Sequence, residues 1–234
     1  MTLPKKSARL SAKLRASHNG HVHHSHARNG HAPAHIVATA KLPTSYGNFS
    51  IVGIEGGFDA EGKREEAVAI RHGNLATAKA PLVRIHSQCL TGDVFTSQRC
   101  DCRAQLELSL KSIAKAKAGV VLYLPQEGRG IGLINKLKAY QLQDEGLDTV
   151  EANRKLGFAD DSREYQFAAD ALKALGMKSV RLLSNNPDKV QQLEAAGVKV
   201  AERVPCRPRT TKHNAAYLKT KRTKMGHLLE EEAE

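Results

Sequence analysis

The chain has 234 residues, with 41% apolar and 26% charged residues and a formal net charge of +12, and it is long enough to bury a core without disulfide bonds. No run approaches the ~18–20 apolar residues of a membrane span, and no apolar core follows the basic N-terminus, so we expect neither a membrane protein nor a secretory signal. Four cysteines are too few for a disulfide framework, which favours a reducing, cytoplasmic location.

Half of the excess positive charge lies in residues 1–35, which carry six lysines or arginines, no acid and seven of the eleven histidines. Such a segment has too little apolar surface to fold alone, so we predict a disordered, basic, His-rich tail. Metal scavenging by its imidazoles and an organelle transit peptide are the alternatives. The remaining charge of +6 fits a site for a polyanionic small molecule as well as a nucleic-acid groove. Because aromatic residues make up only 4% of the chain and tryptophan is absent, nucleic acid is the weaker partner.

The predicted elements alternate between strands and helices. Short strands separated by turns fill residues 36–70. The pattern then predicts a strand at 82–87, a helix at 103–117, a buried strand at 120–124, helices at about 131–145 and 164–175, a strand at 180–183, a helix at 190–196, a strand at 198–204 and a basic helix from 213 to the acidic end at 234. This order predicts an α/β fold (mixed α and β), with a layered mixed sheet and flanking helices.

Three of the four cysteines are closely spaced, as Cys89-x10-Cys100-x-Cys102. Thiolates are soft ligands that suit zinc, and three protein ligands leave a fourth position for a water whose pKa the metal lowers toward ~7. A structural zinc ribbon would show paired Cys-x-x-Cys knuckles, which this chain lacks. The spacing therefore predicts an open zinc site with an activated water. Inert buried thiols are the alternative, which suits Cys206 better than the trio.

Two turns between a predicted strand and a predicted helix are rich in groups that bind phosphate. In residues 126–132, glycines allow the backbone to approach a ligand and Arg129 offers a planar fork. In residues 184–189, a hydroxyl, amides, a helix N-terminus and Lys189 come together. A polar loop at 160–163 adds a carboxylate and a guanidinium. Tight turns, helix capping and a surface ion pair are the ordinary alternatives. Together with the cysteines, these segments predict hydrolysis of a phosphorylated substrate.

These motifs resemble the GTP cyclohydrolase II family, the entry enzymes of riboflavin biosynthesis. The resemblance spans roughly residues 40–228 and occurs in family order. Its blocks are HSQCLTGD at 86–93, RCDC at 99–102, QEGRGIG at 126–132 followed by Asn135 and Lys136, DTVEAN at 148–153, LGF at 156–158, SNNP at 184–187 and KMGH at 224–227. It implies a catalytic zinc and GTP domain at 36–210, completed by a C-terminal helix and acidic tail at 211–234.

The resemblance also implies a reaction and its residues. GTP would be converted to 2,5-diamino-6-ribosylamino-4(3H)-pyrimidinone 5′-phosphate, formate and pyrophosphate by a homodimeric enzyme with one Zn²⁺ per chain and Mg²⁺ on the triphosphate. Zinc would bind Cys89, Cys100 and Cys102, and its water would attack C8 of guanine. Asp161 corresponds to the proton acceptor, Arg163 to a nucleophile at the α-phosphate, and Tyr140 to a tyrosine beside the base. The nucleotide-binding positions would be Arg84, Ile85, His86, Ser87, Gln88, Gln105, Glu127, Gly128, Arg129, Thr149, Ser184 and Lys189.

Several features depart from the family pattern or leave alternatives. Gln88 stands where the family usually has glutamate, and Ser184 where threonine is more usual. A guanidinium stays protonated at neutral pH, so charge stabilisation is an alternative role for Arg163. The tail is too short for the fused dihydroxybutanone-phosphate synthase domain of some relatives, and we expect a monofunctional chain. The alternative functions are a paralogue that opens the guanine ring without releasing formate and a zinc-containing nucleic-acid-binding protein.

Overall fold

The computed structural model describes residues 32–229. The predicted disordered tail lies outside these residues except for positions 32–35, and so does the acidic run that begins at Glu230. Within residues 32–229, no helix is long and apolar enough to cross a membrane.

A seven-stranded mixed sheet forms the centre of the described region, in the order β1-β2-β3-β5-β4-β6-β7. The strands are β1 (His35–Thr44), β2 (Gly47–Phe58), β3 (Arg64–Gly73), β4 (Leu82–Ser87), β5 (Ala118–Leu124), β6 (Ser179–Leu183) and β7 (Lys199–Val204). The first three strands form an antiparallel meander that pairs through β3 with β5. Strands β5, β4, β6 and β7 run parallel to one another. The predicted mixed α/β class is confirmed.

Helices pack on both faces of the sheet. They are α1 (Leu90–Asp93), α2 (Cys102–Lys115), α3 (Leu133–Asp144), α4 (Thr149–Lys155), α5 (Gln166–Ala174), α6 (Pro187–Ala195) and α7 (Ala215–Lys224). On one face, α5 and α6 bury Leu172 and Leu193 against the strands, and on the other α2 buries Leu110 and Ile113. The predicted helical stripe of α2 therefore faces the sheet.

Two expectations about helix extent need correction, and one helix was missed. The helix predicted from about 131 begins at Leu133, because residues 127–130 form a 3₁₀ turn with left-handed backbone at Gly128 and Arg129 (φ 62° at both). The basic helix predicted from 213 to 234 ends at Lys224, before a glycine with φ 62°. Helix α4 was not predicted; its signal was the capping box in which Asp148 and Glu151 bond each other's backbone N–H groups.

The topology places one crevice at the carboxyl ends of the central strands. The chain passes from β4 to β5 on one side of β4 and later returns to β6 on its other side. At such a switch point the loops after neighbouring parallel strands diverge and leave room for a ligand. The segments that follow Ser87, Leu124 and Leu183 all begin at this edge.

Candidate active site

A cavity of about 540 Å³ lies at this edge of the sheet. Seven arginines or lysines line it, against two carboxylates. The basic residues are Arg84, Arg99, Arg129, Lys136, Arg163, Lys189 and Lys221, and the acids are Glu127 and Asp148. This balance favours a strongly anionic ligand.

The thiols of Cys89, Cys100 and Cys102 meet at one end of the cavity. The three sulfur atoms all lie within 4.8 Å of one another, and those of Cys89 and Cys100 are 3.7 Å apart. Cys89 lies two residues after the end of β4 and directly before α1, whereas Cys102 begins α2, so elements fixed by the core position these thiols. Hydrogen bonds from Cys100 and Cys102 hold the pKa of Cys89 well below its usual range. These sulfur atoms are close enough to hold one metal ion.

The residues around the thiols favour thiolates that bind a metal ion. Lys136 places its Nζ 3.2 Å from the Cys89 sulfur and 2.7 Å from a carboxylate oxygen of Glu127. The second Glu127 oxygen accepts from the Leu90 N–H at 2.6 Å. An added Cβ on Gly92 would lie 3.1 Å from the sulfurs of both Cys89 and Cys100. A soft three-sulfur donor set with no side chain between the sulfurs fits zinc.

Replacing Gly92 by alanine is expected to lower zinc affinity about tenfold, because its methyl group would push the sulfur ligands apart. Zinc retained after dialysis against a competing chelator measures the effect. Gly53→Ala is the matched control, since its Cβ would make an equally close contact, 3.2 Å from a Val37 methyl carbon, away from the thiols. Equal zinc retention by both variants would contradict the role of Gly92.

A buried carboxylate fixes the first cysteine. Asp93 accepts hydrogen bonds from the Cys89 N–H at 3.0 Å and from the Tyr123 hydroxyl at 2.9 Å. Nε2 of His86 lies 3.1 Å from both Asp93 oxygens, and the His86 ring stacks on Tyr123. Burial lowers the pKa of His86 despite the carboxylate beside it. His86 thus supports the metal-binding end through Asp93.

A second buried carboxylate connects α2 to α7. Asp101, between Cys100 and Cys102, accepts from Nζ of Lys221 at 2.8 Å and from the side-chain amide of Gln105. Gln105 in turn accepts from the guanidinium of Arg84. This chain of hydrogen bonds links the metal-binding end to the basic residues.

The turn after β5 carries backbone strain. Arg129 has a positive φ of 62°, which is uncommon for a residue other than glycine. Its Nη1 donates to the Asp160 carbonyl at 3.4 Å, and its Nη2 is buried without a hydrogen-bond partner among residues 32–229. Strain of this kind persists where the surroundings impose it and is frequent at ligand sites.

The cationic groups cluster along the strand ends. Lys189 donates from Nζ to the Ile85 carbonyl at 2.9 Å and is 4% exposed. Burial, reinforced by the positive charges of Arg84 and Arg163, holds the pKa of Lys189 well below its usual range. Nε of Arg84 is buried, and no residue in the described part of the chain forms a hydrogen bond with it. Such crowding of buried cations is unfavourable until an anion binds among them.

Arg163 and Asp161 form a bidentate ion pair, in which Nε donates to Oδ1 at 2.8 Å and Nη2 to Oδ2. Burial favours the neutral guanidine, but the bonds to Asp161 outweigh it and raise the pKa of Arg163. Burial likewise opposes the charge of Asp161, and Arg163 nevertheless lowers its pKa. Nη1 of Arg163 also lies 3.4 Å from the Ser87 hydroxyl, at the end of β4.

The structure brings nearly all the predicted site residues to this one cavity. Tyr140 reaches the metal-binding end, where its hydroxyl lies 3.2 Å from that of Thr91, itself 3.7 Å from the Cys89 sulfur. Two predicted residues do not line the cavity. The Ile85 side chain is fully buried in the core, and only its carbonyl contacts a cavity residue, as the acceptor for Lys189. Asp161 reaches the site only through its hydrogen bonds to Arg163. The predicted residues that line it are Arg84, His86, Ser87, Gln88, Cys89, Cys100, Cys102, Gln105, Glu127, Gly128, Arg129, Tyr140, Thr149, Arg163, Ser184 and Lys189.

Other residues that line the cavity or bond to its lining were missed by the sequence prediction. Asp93, Asp101 and Lys136 lie inside the quoted motifs, so their proximity to the cysteines in the chain was an available signal. Lys221 lies far along the chain from the thiols, and no local pattern places it at the cavity. His227 is equally distant but ends the quoted KMGH block, so a signal for it was available.

Comparisons with known proteins agree with this geometry. Residues 35–205 match the family model described as GTP cyclohydrolase II. A protein named GTP cyclohydrolase-2 from Buchnera aphidicola is 51% identical over 196 residues, covering 84% of this chain and 99% of that protein. One of the same name from Tolumonas auensis is 51% identical over 83% of this chain and 96% of its own. A riboflavin biosynthesis protein of Vibrio vulnificus is 49% identical over 86% of this chain but only 54% of its own.

Proposed function

Since the chain belongs to the GTP cyclohydrolase II family and is a hydrolase of riboflavin biosynthesis, we propose that it opens the guanine ring of GTP and releases formate and pyrophosphate. The remaining product would be 2,5-diamino-6-ribosylamino-4(3H)-pyrimidinone 5′-phosphate. One water opens the imidazole ring to a formamide, a second releases formate, and a third separates the α-phosphate from pyrophosphate.

The observation that carries this proposal is one cavity with two chemically different ends. A three-thiol cluster lies at one end, and buried cations line the rest. The cations suit a polyphosphate, and the thiols suit a metal that acts on the base.

We assign Cys89, Cys100 and Cys102 as the zinc ligands. When bound, zinc supplies Lewis acidity and a nucleophilic water at neutral pH, for attack at C8. Asp93 and Lys136 hold the Cys89 backbone and sulfur in place. Partners of this kind orient metal ligands and tune their basicity.

We propose that Tyr140 acts on the guanine base, at the end of the cavity that holds the three thiols. Burial raises the pKa of Tyr140, so its hydroxyl keeps its proton at neutral pH. Its ring lies close to two cations, with the guanidinium carbon of Arg99 4.9 Å and the ammonium of Lys136 5.6 Å from the ring centre. The proton is therefore available to a nitrogen of the opening imidazole ring.

We propose that Arg163 and Asp161 act together at the α-phosphate. The protonated guanidinium stabilises charge as pyrophosphate leaves, and Asp161 holds it in the orientation observed. We propose that Asp161 also acts as the proton acceptor, for a proton of the attacking water. We propose that Mg²⁺ neutralises the two terminal phosphates of GTP, as in other phosphoryl-transfer sites. The cytoplasmic location and the homodimer stay predictions.

Binding of a non-hydrolysable GTP analogue is expected to take up protons, because the triphosphate restores the charge of Lys189. At about pH 8.5 the terminal phosphate is already ionised and does not release a compensating proton. Calorimetric titration in buffers of different ionisation enthalpy gives the number of protons. Lys189→Gln should bind more weakly and lose this uptake, whereas uptake that is unchanged in this variant would contradict the role of Lys189.

Incubation of the purified full chain with GTP and Mg²⁺ tests the proposed function. Stoichiometric formate and pyrophosphate, with the absorbance of a diaminopyrimidine, are expected. A ring-opened product that keeps its formyl group would identify the paralogue instead. Unchanged GTP in the presence of zinc would contradict both.

A further inference from the structure

We infer that residues 213–229 form a wall of the nucleotide site and that His227 is a binding residue for the phosphate chain. This inference rests on the proposed function and adds to it a residue outside the part of the chain that the family model matches, which ends at residue 205.

Hydrogen bonds and ion pairs hold the C-terminal segment, residues 213–229, against the cavity at several points. Lys221 of α7 is 8% exposed and bonds Asp101, beside two of the thiols. Lys224 forms ion pairs with Asp148 and Glu151 at the start of α4. After the helix, the Leu228 N–H donates to the carbonyl of Asn185 at 2.9 Å, in the turn between β6 and α6. These contacts come from three separate elements of the cavity wall.

The segment therefore contributes its own side chains to the cavity lining. They are His213, Ala216, Tyr217, Thr220, Lys221, Met225 and His227. The ammonium of Lys221 lies 4.4 Å from the ring centre of Tyr217, and the guanidinium carbon of Arg129 lies 5.9 Å from it. Tyr217 thus lies close to two of the cations.

His227 is the group in this segment that lacks a protein partner. Its Nε2 is buried, and no residue of the described range 32–229 hydrogen-bonds to it. Burial and the positive charges of Lys221, Arg163, Lys189 and Arg129 lower the pKa of His227 to about 3. Two further nitrogens at the cavity, Nη2 of Arg129 and Nε of Arg84, are likewise buried and have no hydrogen-bond partner within the described residues.

A phosphate chain accounts for these unpaired nitrogens together. Buried polar groups are rarely left without a hydrogen bond, and each one costs free energy until it is satisfied. Phosphate oxygens accept from imidazole and guanidinium N–H groups, and their negative charge offsets the repulsion among the surrounding cations. The neutral imidazole can donate from Nε2 without adding another positive charge.

Kinetics of His227→Ala and His227→Gln in the full chain test this inference. The backbone bonds that fasten the segment do not involve the imidazole, so both variants should fold, as thermal unfolding will check. We expect the KM for GTP to rise about tenfold in the alanine variant and less in the glutamine variant, which keeps a donor. Inhibition by inorganic tripolyphosphate should weaken by a similar factor, and inhibition by guanosine should not change.

The outcomes separate the inference from the proposed function. An unchanged KM, or equal weakening of tripolyphosphate and guanosine, would overturn the phosphate role of His227. Absence of GTP turnover by the wild-type chain would instead overturn the proposed function, and the direct binding of tripolyphosphate to wild type and His227→Ala would still decide the inference. His72→Ala is the control, because this half-buried histidine lies 3.3 Å from the Asn48 carbonyl and does not line the cavity.

Discussion

Cys100→Ser is expected to bind far less zinc and to release formate from GTP more than about a hundredfold more slowly than the wild-type chain. Loss of a partner outside the metal's own ligands already costs about 10–100-fold in metal affinity or activity, and this substitution removes one of the three sulfurs. A serine hydroxyl is a hard, protonated group at neutral pH and replaces a thiolate poorly. Metal analysis of the purified variant and a formate assay measure the two effects.

Cys206→Ser is the matched control for this substitution. Cys206 is fully buried behind α2, with its sulfur 3.8 Å from the Ser109 hydroxyl, and belongs to the core rather than to the thiol cluster. It should keep its zinc and most of its activity. Full zinc content and formate release in Cys100→Ser would contradict the assignment of the metal ligands.

Arg163→Ala is expected to slow pyrophosphate release about 10²–10³-fold, because it removes a positioned cation at the α-phosphate. Arg163→Lys should retain part of the activity, since it keeps the charge but loses the bidentate geometry with Asp161. Single-turnover assays of pyrophosphate and formate show which chemical step is slowed.

Arg154→Ala is the control for Arg163. Arg154 forms a comparable bidentate pair, with both N–O distances to Asp160 at 2.8 Å, but its side chain is 68% exposed and does not line the cavity. An exposed pair of this kind contributes little to stability. Equal loss of activity in the two alanine variants would contradict the role of Arg163, because it would show a general effect of losing an arginine.

The sequence predicted the order of strands and helices well because their signals are local. The alternating pattern of β2, the apolar run of β5 and the helical stripe of α2 each need fewer than twenty neighbouring residues to be recognised. Helix ends were predicted less accurately. The left-handed pair Gly128 and Arg129 delays the start of α3, and an arginine gives no local warning of a positive φ.

The candidate site was predictable in part for the same reason. The cysteines and the two turns after β5 and β6 are visible as motifs, and the parallel topology brings them together. The burial of the Ile85 side chain and the contact of Lys221 with Asp101 could not be predicted from the sequence motifs. Ile85 lies in a stretch of cavity residues, but strand alternation turns its side chain into the core. Lys221 meets Asp101 across 120 residues, a contact that only the folded chain defines.

Metal depletion and reconstitution of the wild-type chain test the central claim most directly. The account predicts that chelator-treated protein releases no formate from GTP and that one equivalent of zinc per chain restores release at the original rate. Sustained formate release by the zinc-free protein, or none after zinc is restored, would contradict it.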